Sequence, residues 1–296
     1  MTVKKAYDFK DSPVFRLRSK AKLASLLFIS LEKLEKLASL ERGRGYYEFQ
    51  KPKKSGGFRD ISAPIDPLKQ VQKRLALLLQ RIAPPDYLFA PVAGRSYVDN
   101  AARHIGAKSV RLLDIEDFFP SCSVKKAAWF FGRKMECSPD VTAILCKLVT
   151  SADCLPQGSP ASPILAYLCY IEMWSEIQAI VERAGCRLSV YADDLTISGN
   201  VVHEAMIWEV KQTLFRHGHR YSREKERSRR GSPAEITGVI LSRNGVTAPN
   251  RQHRRIHELR DELRNAPVEE AAQLNRKLSG RLSQLAQIRA GNSSNA

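Results

Sequence analysis

Cys186-Arg187-Leu188-Ser189-Val190-Tyr191-Ala192-Asp193-Asp194-Leu195-Thr196-Ile197-Ser198 is the stretch whose reading decides the fold. The runs 186–190 and 195–198 both alternate and carry β-branched residues, which predicts a β-hairpin with the acidic pair at its turn. Two adjacent carboxylates at a tight turn repel each other unless a cation lies nearby. Hard divalent ions such as Mg²⁺ take oxygen ligands and work together with substrate phosphates. Holding two such ions about 4 Å apart calls for a third carboxylate. Arg111-Leu112-Leu113-Asp114-Ile115, an apolar strand-like run ending in an acid, offers Asp114. Alone, an Asp-Asp pair reads as a solvated turn; the companions below argue for a metal-binding one.

Composition narrows the class of partner. Of 296 residues, 48 are Lys or Arg and 31 are Asp or Glu, a net charge of +17. The pI is near 9.8. An excess of this size favours polyanions, nucleic acid first. Acidic lipid is the alternative, but no polybasic run flanks an apolar anchor. No apolar stretch approaches a membrane span, and the N-terminus lacks the apolar core of a signal peptide. Cysteines 122, 137, 146, 154, 169 and 186 form no CxxC pair, so they read as buried thiols and not as a zinc site or disulfide framework. A reducing cytoplasm is the expected location.

Upstream, Ser19–Phe28 and Leu31–Leu40 read as short helices with Ser19 and Ser30 as caps. Tyr46 to Ile61 reads as a hairpin of two aromatic, β-prone runs around Gly56-Gly57, with a basic tip at Lys53 and Lys54 and Arg59 on the second strand. It is either a solvated basic loop or a clamp on a triphosphate. Arg suits phosphate through its bidentate fork, Lys as a point charge. Asp66 to Ile82 contains an amphipathic helix, ended by Pro84-Pro85. Asn100 and His104 stand at i and i+4 on a further helix; by itself that His reads as structural. Phe119, five residues past Asp114, can wall a nucleotide pocket beside the sugar or be core; Phe118 reads as core. Leu155 to Pro163 is a Gly/Pro/Ser loop carrying Gln157 and Gly158, and it opens a long apolar helix from Ile164 to about Ala184, with Ser162 as its cap. After the hairpin come a helix over 201–215, a basic segment 216–230 and a strand over 235–241. Asn244-Gly245 is a hairpin turn, and basic helices follow from Arg251.

The order of these features resembles the right-hand polymerase core of reverse transcriptases over roughly residues 45 to 230. Asp114 matches the family's motif A, the Gln157 loop motif B and Asp193-Asp194 motif C. Lys225 falls where motif D places its lysine, although the usual Thr after it is Glu226 here. Asn100-Ala101-Ala102-Arg103-His104 looks like the Asn-Ala-x-x-His motif of retron reverse transcriptases, and Ile236-Thr237-Gly238 like their Val-Thr-Gly motif.

The resemblance implies an α+β fold of fingers, palm with a small antiparallel sheet, and short helical thumb, divided as 1–240 and 241–296. It implies RNA-templated DNA synthesis with two Mg²⁺ held by Asp114, Ile115, Asp193 and Asp194, and Lys225 as a proton donor. Lys53, Lys54, Arg59, Phe119 and Gln157 would bind the deoxynucleotide. Asn100, His104, Arg254, Arg255 and Arg260 would bind RNA. It further implies a structured non-coding RNA as template and primer, a nascent single-stranded DNA branched from a 2′-hydroxyl, and an effector protein in antiphage defence. Another small bacterial reverse transcriptase, or a polymerase-like RNA-binding scaffold without catalysis, is the competing reading.

Overall fold

Ser19 and Ser30 each precede a run rich in Leu and Lys, and each hydroxyl accepts a hydrogen bond from the amide three residues on. These caps start α1 (Lys20–Leu26) and α2 (Leu31–Ala38). The computed structural model describes residues 6–41, 44–53, 56–231, 233–242 and 244–292. Lys54 of the expected phosphate clamp lies outside the described residues.

The basic hairpin forms as the sequence predicts, β1 (Tyr46–Pro52) against β2 (Phe58–Pro64), with Lys51 opposite Arg59. Next come α3 (Asp66–Leu79), β3 (Leu88–Ala90) and α4 (Tyr97–Ala102), the last held by a reciprocal Ser96–Asp99 capping box. β4 (Ser109–Glu116) carries Asp114 and leads into the single turn α5 (Phe118–Ser121), then α6 (Val124–Trp129) and α7 (Pro139–Val149). α8 (Ser162–Leu168) and α9 (Ile171–Arg183) precede the acidic hairpin, β5 (Arg187–Tyr191) and β6 (Asp194–Gly199). α10 (Glu204–Arg216), β7 (Arg220–Tyr221) and β8 (Arg227–Arg230) follow. β9 (Ala234–Ile236), β10 (Val239–Ser242) and β11 (Gly245–Thr247) form a small separate sheet before α11 (Asn250–Asn265) and α12 (Val268–Ala290).

The central sheet runs β3-β5-β6-β4-β7, with β8 also on β4. β3 is parallel to β5 and the other pairs are antiparallel. Strand alternation gives the sheet two distinct faces. Leu188, Val190, Leu195 and Ile197 join the main core with Trp174 and the helices around it. Ser189, Thr196 and Ser198 are equally buried but point to the opposite face, the one that carries Asp194. A second core joins α4, Val110, β9–β11 and Ile288 of α12.

Three expectations change. The long helix over 164–184 is two helices bent by 62°. The break falls at Tyr170, whose hydroxyl donates to Ser121 O (3.1 Å) and accepts from Ser123 N (3.3 Å). Ser162 is the first residue of α8 and not its cap, because its hydroxyl donates back to Pro156 O. The strand over 235–241 folds on itself at Thr237-Gly238, both at positive φ (+47° and +84°), and a division at residue 240 would cut through β10. All six cysteines are free, and five are buried. Among the described residues no single helix is long and apolar enough to cross a membrane.

The loop before α8 locks onto the basic hairpin. Ser62 N donates to Gln157 O (2.8 Å), and Gly158, at φ +135°, lies so close that a Cβ there would meet Ser62 O at 2.9 Å. Gly158→Ala is therefore expected to lower stability by about 1–3 kcal/mol. Urea unfolding should show this as a lower midpoint with an unchanged slope.

Candidate active site

The register of two strands assembles the acidic group. Asp114 of β4 pairs with Asp194 of β6, so both side chains share one face, and Asp193 occupies the turn that links β5 to β6. That turn is strained: Ala192 takes φ +57°, a left-handed conformation that a non-glycine residue holds at about 1–3 kcal/mol. Ile115 N donates to Asp193 O (3.0 Å), tying the turn to the end of β4.

The carboxylates are under electrostatic load. Burial raises the pKa of Asp193, and the charge of Asp114 adds to it, while Lys225 and Arg59 oppose the shift. Burial, then the charges of Asp193 and Asp114, push Asp194 up to about 7. Asp194 also hydrogen-bonds the Asp114 carboxyl in its protonated form. Lys225 Nζ lies 2.7 Å from Asp114 Oδ1. Partial burial pulls the lysine's pKa down, but Asp114, Asp193 and Asp194 outweigh that and raise it, so the ammonium stays charged.

Among the described residues no three His, Cys, Asp or Glu side chains are already arranged to hold an ion. The donor set nevertheless fits a hard divalent cation: it is all oxygen and like-charged, and an ammonium stands where positive charge is needed. Asp114, Asp193 and Asp194 are the residues that would hold such an ion, with Ile115 beside them on β4.

The remaining expected residues divide. Arg59 is exposed on β2, and its charge acts on Asp193. Lys53 is exposed at the hairpin tip. Gln157 is half-buried in the loop bonded to β2, and Phe119 is half-buried beside Phe118, which is core (ring centroids 5.6 Å). Arg254 and Arg260 are exposed on α11. Arg255 is matched by Glu258 (3.0 Å) and Glu262 (2.9 Å). The expectation that Asn100 and His104 touch RNA is corrected. They are 1% and 0% exposed, and the expected shared helical face does not form: Asn100 is on α4, which ends at Ala102, whereas His104 lies in the turn after it, packed between Ser189 and Ser198. Asn100 Nδ2 reaches Thr237 Oγ1 (3.4 Å), so the two short retron-like motifs meet each other.

Sequence reasoning missed the supports. Glu226, which departs from the motif D threonine, accepts from Lys211 (2.8 Å) and Arg111 (2.9 Å) and anchors the segment carrying Lys225. Its departure from the family pattern was the available signal. His219, 1% exposed, bonds Ser121 Oγ through Nδ1 (2.7 Å) and lies against Tyr170, bracing the turn that presents Phe119. Burial, then the charges of His217 and Lys126, lower its pKa to about 4, so it is neutral. No local pattern marks it.

An α+β fold with strand-end and turn carboxylates on one sheet face, under a basic hairpin, defines a right-hand polymerase. A family model described as reverse transcriptase (RNA-dependent DNA polymerase) matches residues 51–241. The chain belongs to the reverse transcriptase family. It is 33% identical over 256 residues to the retron Mx65 reverse transcriptase of Myxococcus xanthus, which covers 77% of this chain and 58% of that protein. It is 33% identical over 196 residues to the retron Se72 reverse transcriptase of Salmonella heidelberg (strain 579083-10), covering 65% and 50%. The chain thus spans little more than half the length of these relatives. Among solved structures, a foamy viral protease-reverse transcriptase in complex with RNA/DNA hybrid aligns with a TM-score of 0.44 at 15% identity, over 75% of this chain and 25% of that one.

The raised pKa of Asp194 fixes a sign. The folded state without a cation binds this proton more tightly than the unfolded chain, so the group's stabilising contribution is complete below the ordinary carboxylate value and is lost as pH rises through about 7. Asp194→Asn should therefore raise Tm in EDTA at pH 8, by about 2–4 °C for each kcal/mol of repulsion relieved. At pH 5 the gain should shrink. Thermal scans of both proteins at the two pH values measure it.

Proposed function

We propose that the chain is an RNA-directed DNA polymerase that copies a structured non-coding RNA and starts from a 2′-hydroxyl within it. The observation that carries the polymerase part is the in-register pair Asp114–Asp194 with Asp193 at the adjoining turn. The retron part is supported by the sequence relatives and by the contact between Asn100 and Thr237, which joins two motifs that generic polymerisation does not require.

In this reading a 3′-hydroxyl, or the 2′-hydroxyl at initiation, attacks the α-phosphate of a deoxynucleotide and expels pyrophosphate. Two Mg²⁺ bound by Asp114, Ile115, Asp193 and Asp194 would activate the attacking oxygen and neutralise the leaving ones. Arg59 and Lys53 take the triphosphate, Arg59 through its bidentate fork. Gln157 lines the nucleotide pocket. Phe119 excludes a ribose 2′-hydroxyl by contact. Lys225, kept charged by three carboxylates, carries the proton for the leaving pyrophosphate. Exposed arginines such as Arg254 and Arg260 contribute to RNA affinity through phosphate contacts. The product would be single-stranded DNA branched from RNA. Action in the cytoplasm beside an effector protein of the same locus, in defence against phage, completes the reading.

The protein co-expressed with RNA from its own flanking locus should synthesise DNA when purified and supplied with Mg²⁺ and deoxynucleotides. Asp193→Asn should abolish incorporation while RNA affinity, measured by filter binding, stays near wild type. Incorporation by this variant at the wild-type rate would end the assignment.

DNA recovered from such cells should remain joined to a short RNA stub after RNase treatment, and debranching enzyme should free its 5′ end. A product with no branch would leave the polymerase reading standing and move the chain to another class of small reverse transcriptase.

A further inference from the structure

His104 is completely buried, 0% exposed, and is used by nothing in the chemistry described above. Both of its ring nitrogens are nonetheless engaged at short range. Nδ1 lies 2.7 Å from Ser198 Oγ on β6, and Nε2 lies 2.7 Å from Ser189 Oγ on β5. These are the two strands of the hairpin whose turn carries Asp193 and Asp194. Neighbouring side chains and backbone repeat the connection. Arg103 Nε donates to Leu188 O (2.8 Å), Arg187 donates to Ile105 O (2.9 Å), and Lys108 N donates to Gly199 O (3.1 Å).

Geometry fixes what this contact can do. Residues 194, 196 and 198 point to one face of β6, so the imidazole sits on the same face as the catalytic carboxylates, roughly 13 Å along the strand from Asp194 at 3.3 Å per residue. A single neutral imidazole can donate from one nitrogen and accept at the other, and a hydroxyl can do either. One ring therefore clamps both strands without an unpaired polar atom of its own. Burial, with the adjacent charges of Arg187 and Arg103, holds the ring neutral, which this donor–acceptor pattern requires. The turn is strained at Ala192, and the imidazole adds a side-chain tie between β5 and β6 to the backbone pairing these strands make with each other, with β3 and with β4.

We propose that His104 is a positioning residue for the catalytic hairpin: through Ser189 and Ser198 it sets the height of the Asp193-Asp194 turn against Asp114. This rests on the polymerase reading above. His104 touches no substrate, so its loss acts on the reaction step and not on binding.

The test uses the full chain with its co-expressed RNA, Mg²⁺ and deoxynucleotides. His104→Ala is expected to lower kcat roughly 10- to 100-fold. KM for deoxynucleotide and affinity for RNA should stay within about twofold, since both report contacts made elsewhere. Amide exchange over 189–198 should speed up in the variant while α1, α2 and α7 remain protected. Because the alanine leaves two buried hydroxyls unpaired, it also lowers stability, and the triple variant His104→Leu, Ser189→Ala, Ser198→Ala controls for this. Replacing all partners of a buried polar cluster by apolar groups is close to neutral for stability. The triple variant should melt near wild type yet keep the kcat defect. Wild-type kcat in the triple variant, or unchanged exchange over 189–198 in His104→Ala, would overturn the inference and leave His104 as packing only. A wild-type protein that makes no DNA would instead overturn the reading on which it rests.

Discussion

Asp114 and Asp194 are held opposite each other by backbone pairing of β4 and β6, and their repulsion is the constraint around which the structure is arranged. Isolated carboxylates would relieve it by moving apart or by staying protonated. The ladder forbids the first, and the raised pKa of Asp194 registers the second. What remains is compensation by positive charge. Lys225 supplies it at contact distance, and the charge of Arg59 acts on Asp193. A site that is unstable without cations and oxygen-rich in its donors is suited to divalent ions and to the phosphates they accompany.

The surrounding residues hold this arrangement in place. Glu226 takes two buried cations, Lys211 and Arg111, and so anchors the segment on which Lys225 stands. A buried ion cluster of this kind contributes little net stability, but losing one partner leaves an uncompensated charge. His219 braces the turn that follows β4, and His104 bridges the two strands of the acidic hairpin. Both histidines are driven neutral by burial, so they act as fixed hydrogen-bonding struts and not as acids or bases.

The small β9–β11 sheet extends this framework toward the C-terminal helices. Thr237 accepts from Asn100 and donates to Tyr97 O (3.0 Å), while Asn292, past the end of α12, bonds both backbone groups of Val246. The helix α4 thus lies between the acidic hairpin and the elements that carry the exposed arginines of α11. A basic composition alone would place positive charge anywhere on the surface; here the packing of α12 and β11 against α4 connects that charge to the acidic hairpin.

Residue types and local spacing were enough to read the two hairpins, the caps of α1 and α2, and the acidic pair, because each depends on a period or a turn a few residues long, while the α+β class came with the family resemblance. The family resemblance was legible for the same reason: its motifs are short and contiguous. The break between α8 and α9 was not legible, since the bond that makes it joins Tyr170 to residues about fifty positions earlier. Nor was the burial of Asn100 and His104, because the i, i+4 spacing predicts a shared helical face, whereas α4 ends at Ala102 and His104 lies in the turn beyond it. Their burial is decided by where β5, β6 and the turn after β9 come to lie, and those contacts span from 85 to 137 residues of chain. The sequence by itself determined the acidic residues and the short motifs, which are contiguous; only the tertiary structure decided which side chains meet the solvent and which, such as Glu226, His219 and His104, hold others in place, because those contacts join distant parts of the chain.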